Sequence, residues 1–287
     1  MEGKKVGIVI PSFNQGKYIE QTILSVLENK KYCDIDLVVM DGGSTDETLP
    51  ILERYQTSFY YWRSERDCGQ ADAINQGMKY LQHCDYVMWL NSDDVYQESN
   101  SVKKLLDYMC SHNLRVAYGK SYFIDEEGKI TGEYSTEEFS VENLGKRCYI
   151  SQPSVMIEEA LWEECGGLNP RLQMCLDYEL WIRIAKRCNF GFCGEVIGNT
   201  RMYEDTKTAT MQLQHLKEAV AILHYHYGVV PAHWLYALYL ETHSGLKGNR
   251  LWKRLGRCIV YIYYKCNGSK RIPKICLTSE YYLNRGR

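Results

Sequence analysis

Short apolar runs alternate with helical patterns through the first 120 residues. The runs are continuous and rich in β-branched residues, as buried parallel strands are. They predict strands at 6–11, 36–40, 59–63, 86–90 and 116–118. Between the runs, apolar residues recur at helical spacing, which predicts helices at 17–28, 46–55, 71–81 and 101–110. This alternation predicts an α/β fold in which helices flank a mostly parallel, Rossmann-like sheet.

The pattern changes after about residue 120. We predict a hairpin over 121–134, turning at Glu127-Gly128, and a strand at 152–157. Helical patterns follow at 160–165, 178–186, 213–227, 229–239 and 251–264. The sequence therefore predicts an α/β domain over residues 1–220 and a helical, basic C-terminal extension over 221–287.

Charge is distributed unevenly, although the formal net charge of the chain is only −2. Residues 247–287 carry eleven Lys or Arg and one acid, whereas the rest carries 23 basic and 35 acidic residues. Such a segment suits a negatively charged partner, which can be anionic lipid, nucleic acid or an acidic protein. A solvated helical face is the alternative. A basic amphipathic helix at 251–264 favours peripheral membrane contact through 247–287, and we expect no nucleic acid.

The spacing of the 12 cysteines does not indicate a disulfide framework. No C-x-x-C occurs, and several cysteines stand in apolar surroundings, which suits a reducing compartment. The N-terminal apolar run stops at Pro11, too early for a secretory signal, and no apolar run is long enough to span a bilayer. We therefore expect a cytoplasmic protein, at the inner face of a membrane if the basic extension binds lipid.

Polar residues follow two of the predicted strands. Asp41-Gly42-Gly43 ends the second strand, and Asn91-Ser92-Asp93-Asp94 follows the fourth. Carboxylates at strand C-termini are where α/β sheets bind nucleotides and divalent metals. The alternative is a polar turn whose acids cap the next helix. Neither G-x-G-x-x-G nor a P-loop motif occurs, which argues against a dinucleotide-dependent dehydrogenase and an ordinary P-loop enzyme.

Taken together, the motifs resemble family 2 glycosyltransferases of the GT-A fold. The matching elements, in the family's order, are I-P-S-F-N at 10–14, V-M-D-G-G-S-T-D at 39–46, D-x-G-Q-A-D-A-I-N-Q-G at 67–77, W-L-N-S-D-D at 89–94 and L-D-Y-E-L-W-I-R-I-A at 176–185. The resemblance covers about residues 5–210 and leaves out the last forty. It implies a nucleotide-sugar donor, usually a UDP-sugar, a divalent metal (Mn²⁺ or Mg²⁺) and inversion at the anomeric carbon.

The resemblance also implies roles for individual residues. Asp93 matches the metal-binding acid, and Asp41 matches the residue that faces the base. The remaining expected contacts to the nucleotide or donor sugar are Pro11, Ser12, Asn14, Asp67, Asp72, Asn75, Asn91, Ser92 and Asp94. Asn91 stands where the family's D-x-D element has its first acid, so one charge is missing, although an amide still hydrogen-bonds a hydroxyl.

Asp177 matches the family's catalytic base. A single displacement needs one carboxylate to take the proton of the acceptor hydroxyl. Asp177 can instead cap the following helix, and Glu179 is the nearest substitute. Trp181 is either an acceptor platform or part of the core.

Tyr203 stands where the family often has a His that ligates the metal or diphosphate. Arg201 and Lys207 remain as expected diphosphate contacts. We therefore expect an inverting glycosyltransferase with a glycan or lipid-linked acceptor. The alternatives are a sugar nucleotidyltransferase and a catalytically inactive nucleotide-sugar-binding scaffold.

Overall fold

The computed structural model of the protein describes residues 3–243 and 250–267. Within these residues nine strands form one sheet in the order β3-β2-β1-β4-β8-β6-β9-β5, and β7 pairs with β6. The strands are β1 (Lys5–Ser12), β2 (Asp34–Asp41), β3 (Tyr61–Ser64), β4 (Tyr86–Trp89), β5 (Val95–Tyr96), β6 (Val116–Ile124), β7 (Ile130–Glu133), β8 (Val155–Glu158) and β9 (Gly191–Arg201).

Helices cover both faces of this sheet. They are α1 (Ile19–Asn29), α2 (Thr48–Tyr55), α3 (Gln70–Met78), α4 (Ser101–His112), α5 (Val141–Leu144), α6 (Glu159–Cys165), α7 (Leu176–Ala185), α8 (Lys207–Thr210), α9 (Gln212–Tyr227), α10 (Ala232–Thr242) and α11 (Arg250–Asn267). Helices α1, α2 and α4 enclose one apolar core, and α3, α6, α7 and α9 enclose the other. Strand β1 serves both, because Ile8 and Ile10 point into the first core and Val9 into the second.

The first half of the sheet is parallel, as the β-α alternation predicts. Strand β1 pairs in parallel with β2 and β4, and β2 pairs in parallel with β3. The second half is mixed, because β8 is antiparallel to both β4 and β6, whereas β9 is parallel to β6. The predicted α/β fold is confirmed. The hairpin around Glu127-Gly128 is also present, as β6 and β7.

Strand β9 is the largest element that the sequence pattern does not predict. Its sequence, GFCGEVIGNTR, contains three glycines and lacks a sustained apolar alternation. A glycine is required opposite it in β6: a Cβ on Gly119 would clash with Ile197 and lie 2.5 Å from the Glu195 carbonyl oxygen. Burial along β9 is also irregular, because residues 191–196 are half-buried or exposed and the buried residues are concentrated at 197–201, which leaves little periodic signal. The short elements β5, α5 and α8 are also missed.

The C-terminal helices are continuous with the domain core. Helix α9 spans residue 220, the predicted domain boundary, and Ala219–Leu223 within it are buried. Leu235 and Leu238 of α10 and Val260 of α11 belong to the same apolar core as α7 and α9. None of the helices in the described ranges combines the length and apolar character needed to cross a bilayer. The ten cysteines with described side chains are free.

The β6–β9 approach gives a test of the fold. Gly119→Ala should lower the free energy of unfolding by about 1–3 kcal/mol, because the methyl group must displace Ile197 or the β9 backbone. Gly132→Ala in the adjoining β7 is the control, because its methyl would meet only Phe123 at 3.8 Å. Urea unfolding measures both variants, and equal midpoints for them would contradict the tight β6–β9 contact.

Candidate active site

The C-terminal ends of the parallel strands form one row of polar side chains. The strand register places Ser12 of β1 beside Asp41 of β2, and Asp41 beside Ser64 of β3. On the other side of β1, the Leu90 N–H donates to the Val9 carbonyl, so Asn91 leaves the sheet at the same edge. The sheet thus brings together the first, second and fourth motifs of the sequence.

The Asp41 carboxylate holds the loop after β2. It is 2% exposed. Its Oδ2 accepts hydrogen bonds from the Gly43 N–H (3.1 Å), the Ser44 N–H (2.8 Å) and the Ser64 hydroxyl (2.6 Å), while its Oδ1 accepts from the Ser44 hydroxyl (2.5 Å). These contacts show that Asp41 shapes the loop. The predicted contact with a base stays a prediction.

Ser12 and Asn14 line the start of the same loop. Asn14 adopts a left-handed backbone conformation (φ 50°), its N–H donates to the Ser44 hydroxyl, and its Oδ1 accepts from the Thr45 N–H. The Ser12 hydroxyl is buried at the end of β1, and no described residue forms a hydrogen bond with it. A buried hydroxyl without a partner is uncommon, and here it stands where a ligand is expected.

The start of α3 meets the Asp41 loop. A Cβ on Gly42 would lie 3.0 Å from Oδ2 of Asp67, so a glycine allows this approach. Asp67 Oδ1 accepts from the Gly69 N–H (2.8 Å), and Asp72 Oδ2 accepts from the Cys68 N–H (3.1 Å). Both predicted donor-side acids therefore lie in the site, where they order the turn into α3.

Asn75, another predicted donor contact, points to a different partner. Its Nδ2 donates to the Leu168 carbonyl (2.9 Å), and its Oδ1 accepts from the Leu168 N–H (2.8 Å). The amide thus ties α3 to the glycine turn after α6. In this conformation both polar atoms of the Asn75 amide are bonded to the backbone of Leu168 and not directed at a donor sugar.

Two acids follow β4 and have different surroundings. Asp94 is 2% exposed, and its carboxylate accepts from the Arg201 N–H (2.9 Å) and from Asn91 Nδ2 (3.0 Å). Burial, together with the neighbouring charge of Asp93, raises the pKa of Asp94 well above its usual range. Ser92, which precedes Asp93, is also buried. Asp94 is therefore an internal support of the loop.

Asp93 is the acid that remains accessible to a ligand. Its Oδ2 accepts a hydrogen bond from the Tyr203 hydroxyl (3.0 Å), which in turn accepts from Gln15 Nε2 (3.3 Å). Among the described residues none donates to its Oδ1. Burial raises the pKa of Asp93, and its bond to Tyr203 opposes that rise. Mn²⁺ or Mg²⁺ needs only one or two protein carboxylates when phosphate oxygens and waters complete its coordination, so this donor set fits such an ion.

Arg201 does not lie free in the site. It is 2% exposed, and its guanidinium donates to the carbonyls of Asp93 (2.9 Å), Asp125 (2.8 Å) and Glu126 (2.8 Å) and to Gln21 Oε1 (2.8 Å). Its face also covers the Tyr18 ring at 4.8 Å. The expected diphosphate contact therefore does not agree with these bonds, which join the acidic loop to the β6–β7 turn.

Lys207 is the cation that faces the donor side. Its Nζ donates to Gln70 Oε1 (2.9 Å), Gln70 Nε2 donates to Asn91 Oδ1 (2.7 Å), and Asn91 then donates to Asp94. This chain of side chains connects α8, α3 and the acidic loop. Because Lys207 is exposed and bonds only a neutral amide, its charge is available to an anionic ligand.

Asp177 lies in the first turn of α7. Its Oδ1 accepts from the Tyr178 N–H (2.8 Å), and no described residue donates to Oδ2. Burial raises the pKa of Asp177 to about 6, and the Tyr178 N–H opposes that rise. The helix is packed on β4, because the Trp89 and Trp181 rings stack with centroids 5.5 Å apart. Asp93 and Asp177 thus come from adjoining elements.

Glu179, the alternative to Asp177 as the base, and Trp181, the possible acceptor platform, both have structural roles. Glu179 is buried and accepts from Arg183 (2.7 Å) and His226 (3.1 Å). Its pKa is lowered despite burial, because these two partners favour the charged form. Trp181 is fully buried, so it belongs to the core. Because its carboxylate is already bonded inside the protein, Glu179 is not available as a base. Trp181 has no exposed ring face on which an acceptor could stack.

Several supporting residues escape the sequence analysis. They are Gln15, Gln21, Ser64, Gln70 and Glu218. Gln70 lies within the motif at 67–77 but carries no assigned role there, and the other four residues lie outside the motifs. The strand register could have revealed Ser64, since it stands opposite Asp41, but the others depend on tertiary contacts.

A second cluster with metal-ligand chemistry lies at the opposite edge of the sheet. Asp36, His83 and Cys84 bring one ligand atom each to within 4.8 Å of one another. Asp36 Oδ2, however, already accepts from Lys5 Nζ (3.2 Å) and contacts His83 Nε2 (2.7 Å). Burial raises the pKa of the Cys84 thiol to about 12, so the thiolate that binds metals is disfavoured.

Comparisons with known proteins agree with the motifs. The family model described as glycosyl transferase family 2 matches residues 7–163, more than half of the chain. An uncharacterized glycosyltransferase of Rickettsia typhi is 27% identical over 235 residues, which cover 76% of this chain and 70% of that protein.

Solved structures show the same fold. Staphylococcus aureus TarS (residues 1–349) in complex with UDP-GlcNAc superposes with a TM-score of 0.61 at 15% identity, covering 86% of this chain and 74% of that one. The mannosyltransferase PcManGT of Pyrobaculum calidifontis, in complex with GDP-Man and Mn²⁺, gives 0.58 at 15% identity, covering 92% and 76%. At this identity the likeness supports the GT-A fold alone.

The contacts of Arg201 predict a loss of stability on substitution. Arg201→Met should lower the free energy of unfolding by about 3 kcal/mol or more, because it leaves buried carbonyls without donors. Lys207→Met should change stability by no more than about 0.5 kcal/mol and should instead weaken UDP binding. Urea unfolding and titration calorimetry measure the two effects. A stable Arg201→Met protein with weakened UDP binding would restore Arg201 as a diphosphate ligand.

Proposed function

Because this chain belongs to glycosyltransferase family 2, we propose that it moves a hexose-type sugar from a nucleotide sugar, a UDP-sugar in the first instance, to a hydroxyl group of a glycan. One observation carries the proposal: a single edge of the sheet combines an unpartnered buried hydroxyl at Ser12 with an acid, Asp93, that keeps an oxygen free. The first suits a nucleotide, and the second suits a metal-bound diphosphate.

The nucleotide would lie across the ends of β1 and β2. Pro11, Ser12 and Asn14 would contact it from β1, while Asp41 would hold the adjoining loop in place. Asp67 and Asp72 stand on the donor-sugar side at the start of α3, and Asn91 would hydrogen-bond a sugar hydroxyl through its amide. Lys207 would attract the diphosphate as a point charge.

Asp93 would hold the divalent ion, with diphosphate oxygens and waters as the other ligands. Bound there, Mn²⁺ or Mg²⁺ supplies positive charge that stabilises the departing diphosphate. Tyr203 replaces the expected His and orients the Asp93 carboxylate through its hydroxyl. The protein would therefore bind the ion weakly without the donor and more tightly with it.

Asp177 would act as the general base of a direct displacement. The acceptor oxygen forms a bond to the anomeric carbon while the bond from that carbon to the diphosphate oxygen breaks. The acceptor proton passes to Oδ2 of Asp177, the oxygen that no described residue occupies, and the electron pair of the broken bond leaves with the nucleoside diphosphate. One displacement inverts the anomeric configuration, and no second carboxylate is needed.

The acceptor is proposed to be a lipid-linked glycan at a membrane surface. Helix α11 packs on α10 through Gly256 and Val260, which are buried. Its outward side exposes an apolar stripe formed by Leu251, Leu255, Ile259 and Ile262. The same helix carries three exposed cations, Lys253, Arg254 and Arg257. By helical spacing they lie off the stripe, so α11 is apolar on one side and basic on another, as helices that bind anionic membrane surfaces are.

A donor screen tests the enzymatic proposal. The purified protein with Mn²⁺ or Mg²⁺ is incubated with UDP-, GDP- and dTDP-sugars, beginning with UDP-GlcNAc, and release of the nucleoside diphosphate is measured. We expect slow, metal-dependent hydrolysis of one donor. Asp93→Ala should reduce it by about a hundredfold, because the charge on the leaving group is no longer balanced.

Asp36→Ala is the matched control, because it removes a carboxylate from the opposite edge of the sheet. It should keep wild-type turnover. If the wild-type protein binds a donor but neither it nor any variant hydrolyses that donor, the result would instead favour the inactive scaffold. Formation of a nucleotide sugar from sugar phosphate and UTP would favour the nucleotidyltransferase.

Vesicle flotation tests the membrane contact. The protein should float with vesicles of phosphatidylcholine and phosphatidylserine and much less with phosphatidylcholine alone, because the cations of α11 are attracted to anionic lipid. Leu255→Glu with Ile259→Glu should abolish flotation. Leu24→Glu, at an exposed leucine of α1, should leave it intact. Flotation of the double variant at the wild-type level would refute contact through α11.

A further inference from the structure

Glu218 is a buried acid for which the catalytic proposal has no use. It lies in α9 and is fully buried. Among the described residues, no Lys, Arg or His side chain forms an ion pair with it. Burying a carboxylate is costly unless its oxygens are fully hydrogen-bonded, so a site of this kind indicates a specific role.

The donors to Glu218 come from one short loop. Its Oε2 accepts from the Met174 N–H (2.9 Å) and the Cys175 N–H (3.0 Å), and its Oε1 accepts from the Gln173 N–H (3.0 Å). Gln214 Nε2, one turn earlier in α9, supplies a fourth bond (2.8 Å). Three consecutive backbone N–H groups on one carboxylate fix the path of residues 173–175, and bonds to a charged acceptor are the stronger kind.

This loop leads directly to Asp177. Cys175 is the residue that precedes α7, and Asp177 follows two residues later. The start of the helix therefore depends on the bonded loop. The direction of the Asp177 carboxylate depends on the helix start, because its Oδ1 is held by the Tyr178 N–H of the same turn. Movement of the loop would move the free Oδ2.

We propose that Glu218 is a positioning residue for Asp177: its carboxylate clamps residues 173–175 so that Asp177 presents Oδ2 to the acceptor hydroxyl. The inference rests on the proposed role of Asp177 as the base, and it adds a contribution from α9, outside the family motifs found in the sequence. A displacement of the base by about 1 Å is enough to reduce a rate by up to about a hundredfold.

The pH dependence of the rate reports on this clamp. A base must be ionised, and burial places the pKa of Asp177 at about 6, so kcat should rise with pH through about 6 and level off above it. The titratable groups beside Asp177 are Tyr134, Cys148 and Cys175, whose pKa values burial raises, with the Asp177 charge adding to the rise. They stay neutral near pH 6. A loosened loop would admit water and lower the Asp177 pKa toward 3.8.

Glu218→Gln in the full-length protein tests the proposal. With the donor that the screen identifies, kcat should fall about tenfold or more while the donor KM stays unchanged, and the acid limb should move to lower pH. Gln214→Ala is the matched control, because it removes the one donor to Glu218 that lies outside the loop. It should keep the wild-type kcat and acid limb.

Two results would overturn the clamp: wild-type kcat in folded Glu218→Gln, or a reduced kcat with the acid limb still near pH 6, which indicates only a smaller folded fraction. If Glu218→Gln does not fold, Glu218→Asp, which withdraws the carboxylate by one methylene, is judged by the same criteria. Asp177→Asn is measured alongside. Turnover by that variant at the wild-type rate would contradict Asp177 as the base, which is a failure of the proposed function rather than of the clamp alone.

Discussion

The acidic loop after β4 depends on one buried cation, Arg201. Its backbone N–H bonds Asp94, and its guanidinium bonds the carbonyls of Asp93, Asp125 and Glu126. A buried guanidinium is tolerated because these acceptors and Gln21 replace its hydration. As a consequence the two acids differ: Asp94 is part of the interior, whereas Asp93 keeps an oxygen that can face a ligand.

The other parts of the site are built in the same way, with buried polar groups that order loops at the sheet edge. Asp41 gathers the turn after β2, and Glu218 gathers the turn before α7. In each case a carboxylate accepts hydrogen bonds from backbone N–H groups. Its charge therefore stabilises the loop conformation and is not available to a partner outside the protein. Ser12, Asp93 and Asp177 differ from these residues, because each keeps a side-chain oxygen that no described residue occupies, and they are the residues to which we assign the binding and the chemistry.

The sequence predicts much of this architecture, because parallel strands read as apolar runs and their ends carry the motifs. The α/β fold and the family follow from those patterns. Strand β9 does not, since its burial pattern is irregular. The roles of Arg201 and Asn75 do not, since a motif records which residue stands at a position but not which partner it meets. Glu218 carries no sequence signal, because its partners are backbone N–H groups 43 to 45 residues away.

The most direct test of the account is a crystal structure of the protein with UDP and Mn²⁺. The account predicts that the uridine lies across the ends of β1 and β2 beside Ser12, and that Asp93 holds Mn²⁺ close to the diphosphate. It also predicts that Arg201 keeps its bonds to the loop carbonyls. UDP bound elsewhere, or Mn²⁺ held by Asp36 and His83 at the opposite edge, would contradict the proposed site.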